Sequence, residues 1–343
     1  MLREQAARLF METLEAMTTS IYPDALPAKQ PGHFGNRGTP RAFVFASDPQ
    51  YPWTPASDDG LEQTSAERDR ESRQLIKQQY ASIAQYRASR GGNAIPVMIN
   101  GDMTAFGHDW QRKVLYPILR EHLQENYYFG LGNHDYKNNI NDTLNDGAAR
   151  DSVLALIDHH KERADAMQLH IARGADEIRY EGSLAYSVSF GRVRLIQLNN
   201  EPTYRVTFNS GLLAQRARFV ITDALDWLES QLQESYEHGQ VLLLNLHQHD
   251  QWHGSKEQQQ RFKAMVEHYQ VNAVFAGHYH KEAGRCSFAV GHYGNVPVFL
   301  SGSASQRTYL LAELDDDAEF LSIKLASDND WAAAPQIGRI KLY

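Results

Sequence analysis

The sequence predicts an α/β fold built on a parallel, layered sheet, and three observations lead there. Short apolar runs alternate with amphipathic stretches through the first third of the chain: Ala42-Phe43-Val44-Phe45-Ala46, then Ile95-Pro96-Val97-Met98-Ile99-Asn100, then Tyr127-Tyr128-Phe129-Gly130-Leu131. Strand, helix, strand, helix, strand is the order of crossover connections in a parallel sheet. Each run also ends on polar residues, and strand tips are where such sheets place ligands. Finally, 343 residues at 42% hydrophobic and 22% charged are enough to bury a substantial core.

Taken in order, residues 4 to 17 put Ala7, Leu9, Phe10, Leu14 and Met17 roughly on one face of a short amphipathic helix. The stretch 22 to 40 is rich in Pro, Gly and Asn, so 1–40 is expected to be a helix and irregular arm leading into one domain at 41–343. Gly35-Asn36-Arg37-Gly38 lacks the Lys-Ser/Thr and following helix of a phosphate loop. The first strand, 42 to 46, ends in Ser47-Asp48-Pro49-Gln50, where Pro49 turns the chain out of the ladder. Leu75, Ile76, Tyr80, Ile83 and Tyr86 mark a crossover helix over about 65 to 89, stopped by Gly91-Gly92. The second strand ends in Gly101-Asp102, a helix over about 109 to 124 follows, and the third strand runs into Gly132-Asn133-His134-Asp135.

Residues 136 to 176 break the rhythm with an Asn- and Asp-rich loop and a helical stretch near 148 to 167, read as an insertion at the rim of the site. The loop lacks the spacing and closing Glu of a calcium-binding loop. Two alternating runs on either side of Gly191-Arg192 predict an antiparallel hairpin. A long helix is expected from 212 to 232. The strand 241 to 246 then ends at His247-Gln248-His249, and the strand 271 to 276, after a further helix, ends at Gly277-His278-Tyr279-His280. Another apolar run leads into Ser301-Gly302-Ser303, and closing strands cover 309 to 314 and 320 to 325.

Bulk chemistry excludes several functions. Lys plus Arg total 34 against 42 for Asp plus Glu, a net charge of -8 with no basic block, which disfavours long nucleic acid as a partner. Cys286 is the single cysteine, so an intrachain disulfide and a thiolate zinc cluster are both ruled out, and a buried inert thiol is expected there. The start, Met1-Leu2-Arg3-Glu4-Gln5, lacks a signal pattern and no apolar run reaches membrane-spanning length. A cytoplasmic protein without a membrane span is expected, signal-independent export remaining open.

Set side by side, the strand tips offer Asp48 with Gln50, Asp102, Asn133 with His134, His247, and His278 with His280. Carboxylate, carboxamide and imidazole together suit divalent Mn, Fe or Zn. One cation needs four to six such donors, so the inventory suffices for two. Each residue alone reads as a turn or surface residue; five clusters, each directly after an apolar run, do not.

In that order, Asp48-Pro49-Gln50, Gly101-Asp102, Gly132-Asn133-His134-Asp135, His247 and Gly277-His278-Tyr279-His280 resemble the calcineurin-like metallophosphoesterases. The resemblance spans about residues 41 to 310. It implies a four-layer fold, a central β-sandwich of mixed sheets flanked by helices, and phosphate mono- or diester hydrolysis by a hydroxide bridging two divalent metals. By resemblance Asp48, Gln50, Asp102 and His280 bind the first metal, Asp102 bridges, and Asn133, His247 and His278 complete the second. His134 acts on the phosphate as charge stabiliser or proton donor. Gln50 stands where the family usually has a His, and its neutral, hard oxygen favours Mn²⁺, with Fe, Zn²⁺ or Mg²⁺ as alternatives. His249 is the alternative to His247.

The expected substrate is a phosphorylated small molecule, a nucleotide derivative or a phosphoprotein. Tyr51, Trp53, His108, Tyr136 and Arg307 are candidates for lining its pocket. The competing reading, supported by Gln50 alone, is a weak or inactive member of the fold that serves as a protein-binding scaffold.

Overall fold

A computed structural model describes residues 37–141, 144–211, 216–287 and 291–342. The helix expected at 4 to 17, and the arm as far as residue 36, lie outside these residues. From Arg37 onward the chain is fastened to a later hairpin: Arg37 donates to Asp165 at 2.6 Å, and its carbonyl accepts from the Gly191 amide at 2.7 Å.

The first sheet grows from β1 (Ala42–Ala46), whose five residues are all buried. After a short helix, α1 (Pro55–Asp58), the chain crosses over through α2 (Ser65–Arg90) to β2 (Val97–Ile99), and through α3 (Asp109–Leu123) to β3 (Tyr127–Phe129). Thr64 and Glu67 form a reciprocal capping box that starts α2, and Gly91 at φ 148° ends it. β1, β2 and β3 are parallel and in register, as the alternation predicts.

A helix, α4 (Gly147–His160), and two short strands, β4 (Ala166–Met167) and β5 (His170–Arg173), follow, and then β6 (Glu177–Glu181). The expected hairpin is β7 (Tyr186–Phe190) with β8 (Val193–Gln197), paired antiparallel around Gly191 at φ 55°.

The helix expected from 212 to 232 is a correction. Residues Arg216–Ile221 are a strand, β10, paired antiparallel with β9 (Val206–Ser210), and the helix begins only at α5 (Leu225–Glu237). Arg216 and Arg218 are exposed while Phe219 and Ile221 are buried, a period-two pattern that polar flanks obscure. The ladder β5-β6-β10-β9 makes a third small sheet, on which Phe219 stacks between Tyr180 and Phe208 at centroid distances of 4.9 and 4.7 Å.

The second large sheet is completed by β11 (Val241–Asn245), α6 (Lys256–His268), β12 (Ala273–Ala276), β13 (Ala283–Arg285) and β14 (Val298–Ser301), in the order β13-β14-β12-β11-β8-β7-β4. β15 (Tyr309–Leu314), β16 (Phe320–Ala326) and β17 (Gln336–Lys341) return to the first sheet, ordered β17-β16-β15-β1-β2-β3.

The two large sheets face one another. Phe45 of β1 lies parallel to Phe275 of β12, rings 3.6 Å apart, and Phe43 meets Phe190 edge-on at 6.0 Å. Outside the second sheet, Leu228, Leu232, Phe262 and Met265 of α5 and α6 close over Ile196, Leu242, Leu244 and Val274. Ile76, Tyr80, Ile83, Leu115 and Leu119 of α2 and α3 cover the first. Helix, sheet, sheet, helix is thus the layer order, and the fold is the mixed α/β sandwich expected. Cys286 differs from expectation: it is half-buried rather than buried.

Candidate metal centre

Parallel strands end at one edge, so β1, β2 and β3 of the first sheet and β11 and β12 of the second deliver their tips to the same place. The tips are stitched by backbone hydrogen bonds: Asp48 N–H to Gly101 carbonyl at 3.1 Å, Gln50 N–H to Asp102 carbonyl at 3.0 Å, and Gly277 N–H to His247 carbonyl at 3.1 Å. Asp48, Gln50, Asp102 and His278 all hold positive φ, at 50°, 37°, 48° and 74°. Non-glycine residues seldom adopt this region, at a cost of about 1–3 kcal/mol each, and such strain gathers at functional sites. Glycines make the close approach possible: a Cβ on Gly132 would lie 2.2 Å from Asp102 Oδ1, and one on Gly277 1.7 Å from Ser47 Oγ.

The side chains converge. His247 Nε2 is 3.1 Å from Asp102 Oδ2, 3.0 Å from Asn133 Oδ1 and 4.0 Å from Asp48 Oδ1. His280 Nε2 is 3.2 Å from Asp48 Oδ1. Ligand atoms of Asp102, His247 and His278 lie within 4.8 Å of one another, and so do those of Asp48, Asp102 and His280, with Asp102 common to both groups. His134 sits at the rim, its amide donating to Asp102 Oδ1 at 2.8 Å and its Nδ1–H to the Ala105 carbonyl at 2.8 Å. Asp135 points away: its carboxylate accepts from the amides of Gly132, Met103 and Thr104 at 3.0, 3.0 and 3.2 Å, which holds the loop.

Charge within the cluster is organised around cations. Burial opposes the charged form of His247, yet Asp102 and Asp48 raise its pKa to about 9. Burial likewise opposes charge on His280, but the carboxylates of Asp48 and Asp58 raise it to about 10. His278 goes the other way, lowered to about 4 by burial and by His247. Burial raises the Asp102 pKa, but His247 and His134 outweigh it and hold Asp102 well below the usual carboxylate range. Asp135 is raised to about 6 by burial and by Asp102.

Buried polar atoms test whether these residues fit a metal. Asp48 Oδ1, Asp102 Oδ2 and both side-chain atoms of Gln50 have no hydrogen-bond partner, although all three residues are almost fully buried. The Nε2 atoms of His247 and His280 lie 3.1 and 3.2 Å from the Asp102 and Asp48 oxygens, within ion-pair distance. A buried polar atom left unpaired costs about 1–3 kcal/mol, a cost that a bound cation would remove. The Nδ1–H of His247 donates to the Asn100 carbonyl at 2.8 Å, which leaves Nε2 as the nitrogen that could ligate a metal. The donor set fits divalent cations.

A family model for calcineurin-like phosphoesterases matches residues 43–282, a span that contains every residue of the cluster. The chain belongs to the calcineurin-like phosphoesterases.

No curated protein matches this phosphoesterase. Among solved structures, a protein serine/threonine phosphatase from Saccharomyces cerevisiae with similarity to human phosphatase PP5 is 11% identical, with TM-score 0.32, over 84% of this chain and 81% of that one. Another solved chain is 11% identical with TM-score 0.38, over 84% of this phosphoesterase and 99% of that chain.

Of the candidates for the pocket, Trp53 alone has ring contacts with the cluster, edge-on to His134 at 5.5 Å and to His280 at 5.8 Å. Tyr51 is buried with its hydroxyl on Asp69, Tyr136 packs on Tyr204, His108 stacks on Trp110, and Arg307 pairs with Asp328. His249 is buried beside Tyr279 and belongs to neither metal-competent group.

Sequence reading missed Asp58. Its carboxylate meets His280 Nδ1 at 2.5 Å and accepts from Trp53 Nε1 at 2.7 Å, Ser305 Oγ at 2.6 Å and Gln306 Nε2 at 2.7 Å. Burial works against its ionisation, but His280 and these donors lower its pKa to about 2. The only signal was Thr54-Pro55 opening a one-turn helix, which gives no hint of a partner 222 residues away.

Proposed function

We propose that this phosphoesterase hydrolyses phosphate mono- or diesters at a pair of divalent metals held by Asp48, Gln50, Asp102, Asn133, His247, His278 and His280. The observation that carries the reading is the convergence of two metal-competent groups that share Asp102, with orphaned oxygens on Asp48, Asp102 and Gln50. When bound, two divalent cations supply Lewis acidity toward phosphate oxygens and acidify a water nucleophile. Mn²⁺ is the preferred ion, because Gln50 contributes a neutral carboxamide where a softer imidazole would favour other metals.

The chain's own residues do the remaining work. Asp102 lies between the two groups and orients the His134 backbone through its other oxygen. His134, tethered at Nδ1, presents Nε2 to the substrate and serves as charge stabiliser or proton donor to the leaving oxygen. Trp53 walls the site on the His134 side. The active domain runs from 41 to 343 behind an N-terminal arm, and the substrate is a phosphorylated small molecule, nucleotide derivative or phosphoprotein. No helix among the described residues is long and apolar enough to cross a membrane.

Purified protein should cleave a nitrophenyl phosphate ester only with added metal, and Asp102→Ala should abolish turnover. Equal turnover after metal stripping would overturn the reading. A chain that takes up no metal at saturating Mn²⁺ would instead favour a protein-binding scaffold.

A further inference from the structure

We propose that Lys137 forms a subsite for a second phosphoryl group, next to the one at the metal ligands, so that the preferred substrate carries two phosphoryl groups in tandem. The inference rests on the phosphohydrolase reading above and names the substrate class for that same site.

Lys137 is three residues beyond His134, on a turn tied to the cluster: the Asn138 amide donates to the Asn133 carbonyl at 2.8 Å, and Asn139 Nδ2 donates to the His134 carbonyl at 2.7 Å. Its ammonium donates to Gln248 Oε1 at 3.1 Å. That oxygen also accepts from Asn200 Nδ2 at 3.0 Å, which fixes the amide and turns its Nε2 toward His278 Nε2 at 3.1 Å. One amide group therefore separates a full positive charge from an imidazole of the cluster.

Among the described residues this charge makes no direct ion pair, although the side chain is half-buried. The carboxylate that acts on it, Glu201, is itself occupied by the Thr203 amide at 2.7 Å and the His253 amide at 3.2 Å. Other cations near the strand tips are paired, Lys281 with Asp59 and Arg307 with Asp328. A half-buried ammonium held on a neutral amide is a point charge suited to a phosphoryl oxygen. A single phosphate engaged by the metal ligands leaves it unused; a second phosphoryl group on the His278 side meets it.

The test measures competitive inhibition of nitrophenyl phosphate hydrolysis by adenosine monophosphate and adenosine diphosphate, at fixed free Mn²⁺, in the native chain, Lys137→Met and Lys137→Arg. The expected result is a preference for the diphosphate in the native chain. Lys137→Met should weaken diphosphate binding at least about tenfold with the monophosphate changed less than about twofold, and Lys137→Arg should retain the preference. If both nucleotides inhibit but Lys137→Met shifts both alike or neither, the subsite is overturned while the phosphohydrolase reading stands. If the native chain hydrolyses no ester and binds neither nucleotide, the underlying reading fails and takes the subsite with it.

Discussion

Asp58 Oδ1 lies 2.5 Å from Nδ1 of His280, while Nε2 of the same ring faces Asp48 Oδ1 at 3.2 Å. The imidazole is thus pinned between a supporting carboxylate and the metal-competent one. Partners of this kind set the ring's orientation and basicity, and their loss costs about 10–100-fold in metal affinity. Asp58→Asn should weaken Mn²⁺ binding at the group containing His280 by that factor in calorimetric titration, and should also lower the melting temperature of the metal-free chain, because the Asp58–His280 ion pair is lost. Native-like affinity in the variant would show that Trp53 and the neutral amide suffice to hold the ring.

Gln50 is predicted to oppose stability in the metal-free chain. Both its side-chain polar atoms are buried without partners. Gln50→Leu removes that desolvation cost of about 1–3 kcal/mol at similar volume, so the metal-free variant should melt several degrees higher. The same variant should lose Mn²⁺ uptake, measured by elemental analysis. Reduced melting temperature together with retained uptake would contradict this.

His134→Gln should leave metal content intact and lower kcat by about a hundred- to ten-thousand-fold, the range associated with a positioned proton donor. The ring contributes no metal-facing atom to either group, and only its backbone touches Asp102. An unchanged kcat, or loss of metal, would assign it another role.

Acid stability offers a test away from the metals. His160 accepts the Phe129 amide on Nε2 at 3.2 Å and donates from Nδ1 to Leu156 at 2.9 Å, so the fold requires it neutral. Burial lowers the pKa of His159 from 6.5 to about 4 and holds that of His160 well below its ordinary value. The unfolded chain therefore takes up these protons first as pH falls. The stability held by His159 is complete above about 6.5 and is lost progressively toward pH 4, up to about 3 kcal/mol at 1.36 kcal/mol per unit. Denaturant midpoints between pH 7.5 and 4.5 should fall steeply in the native chain and less so in His159→Gln. Equal slopes would reject the assignment.

Strands and their tips were legible because a buried parallel strand is a short apolar run with an abrupt polar end. Ala42–Ala46 and Tyr309–Leu314 fall where the pattern put them. Arg216–Ile221 was not legible, since its alternation begins with two arginines and borders a true helix, so a 3.6-residue period could be drawn through both. Gln336–Lys341 was missed for a related reason: it is an edge strand, largely exposed, with little apolar signal. In the candidate site, residues that follow strands were visible one by one. Asp58, Gln248 and Lys137 act through partners distant in sequence, and no local pattern encodes such a partner.

Asp48, Asp102 and Asn133 follow strands of the first large sheet, whereas His247 and His278 follow strands of the second. An ion bound there would rivet the two halves of the sandwich together at one rim. Anything that binds the folded chain alone stabilises it by mass action, so chelation should loosen this seam before the rest of the sandwich, visible as faster amide exchange along β2 and β11. The converse also holds. A substitution deep between the sheets, at Phe45 or Phe275 for instance, need touch none of these residues to lower activity, because shearing the sheets shifts the two sets of strand tips relative to one another.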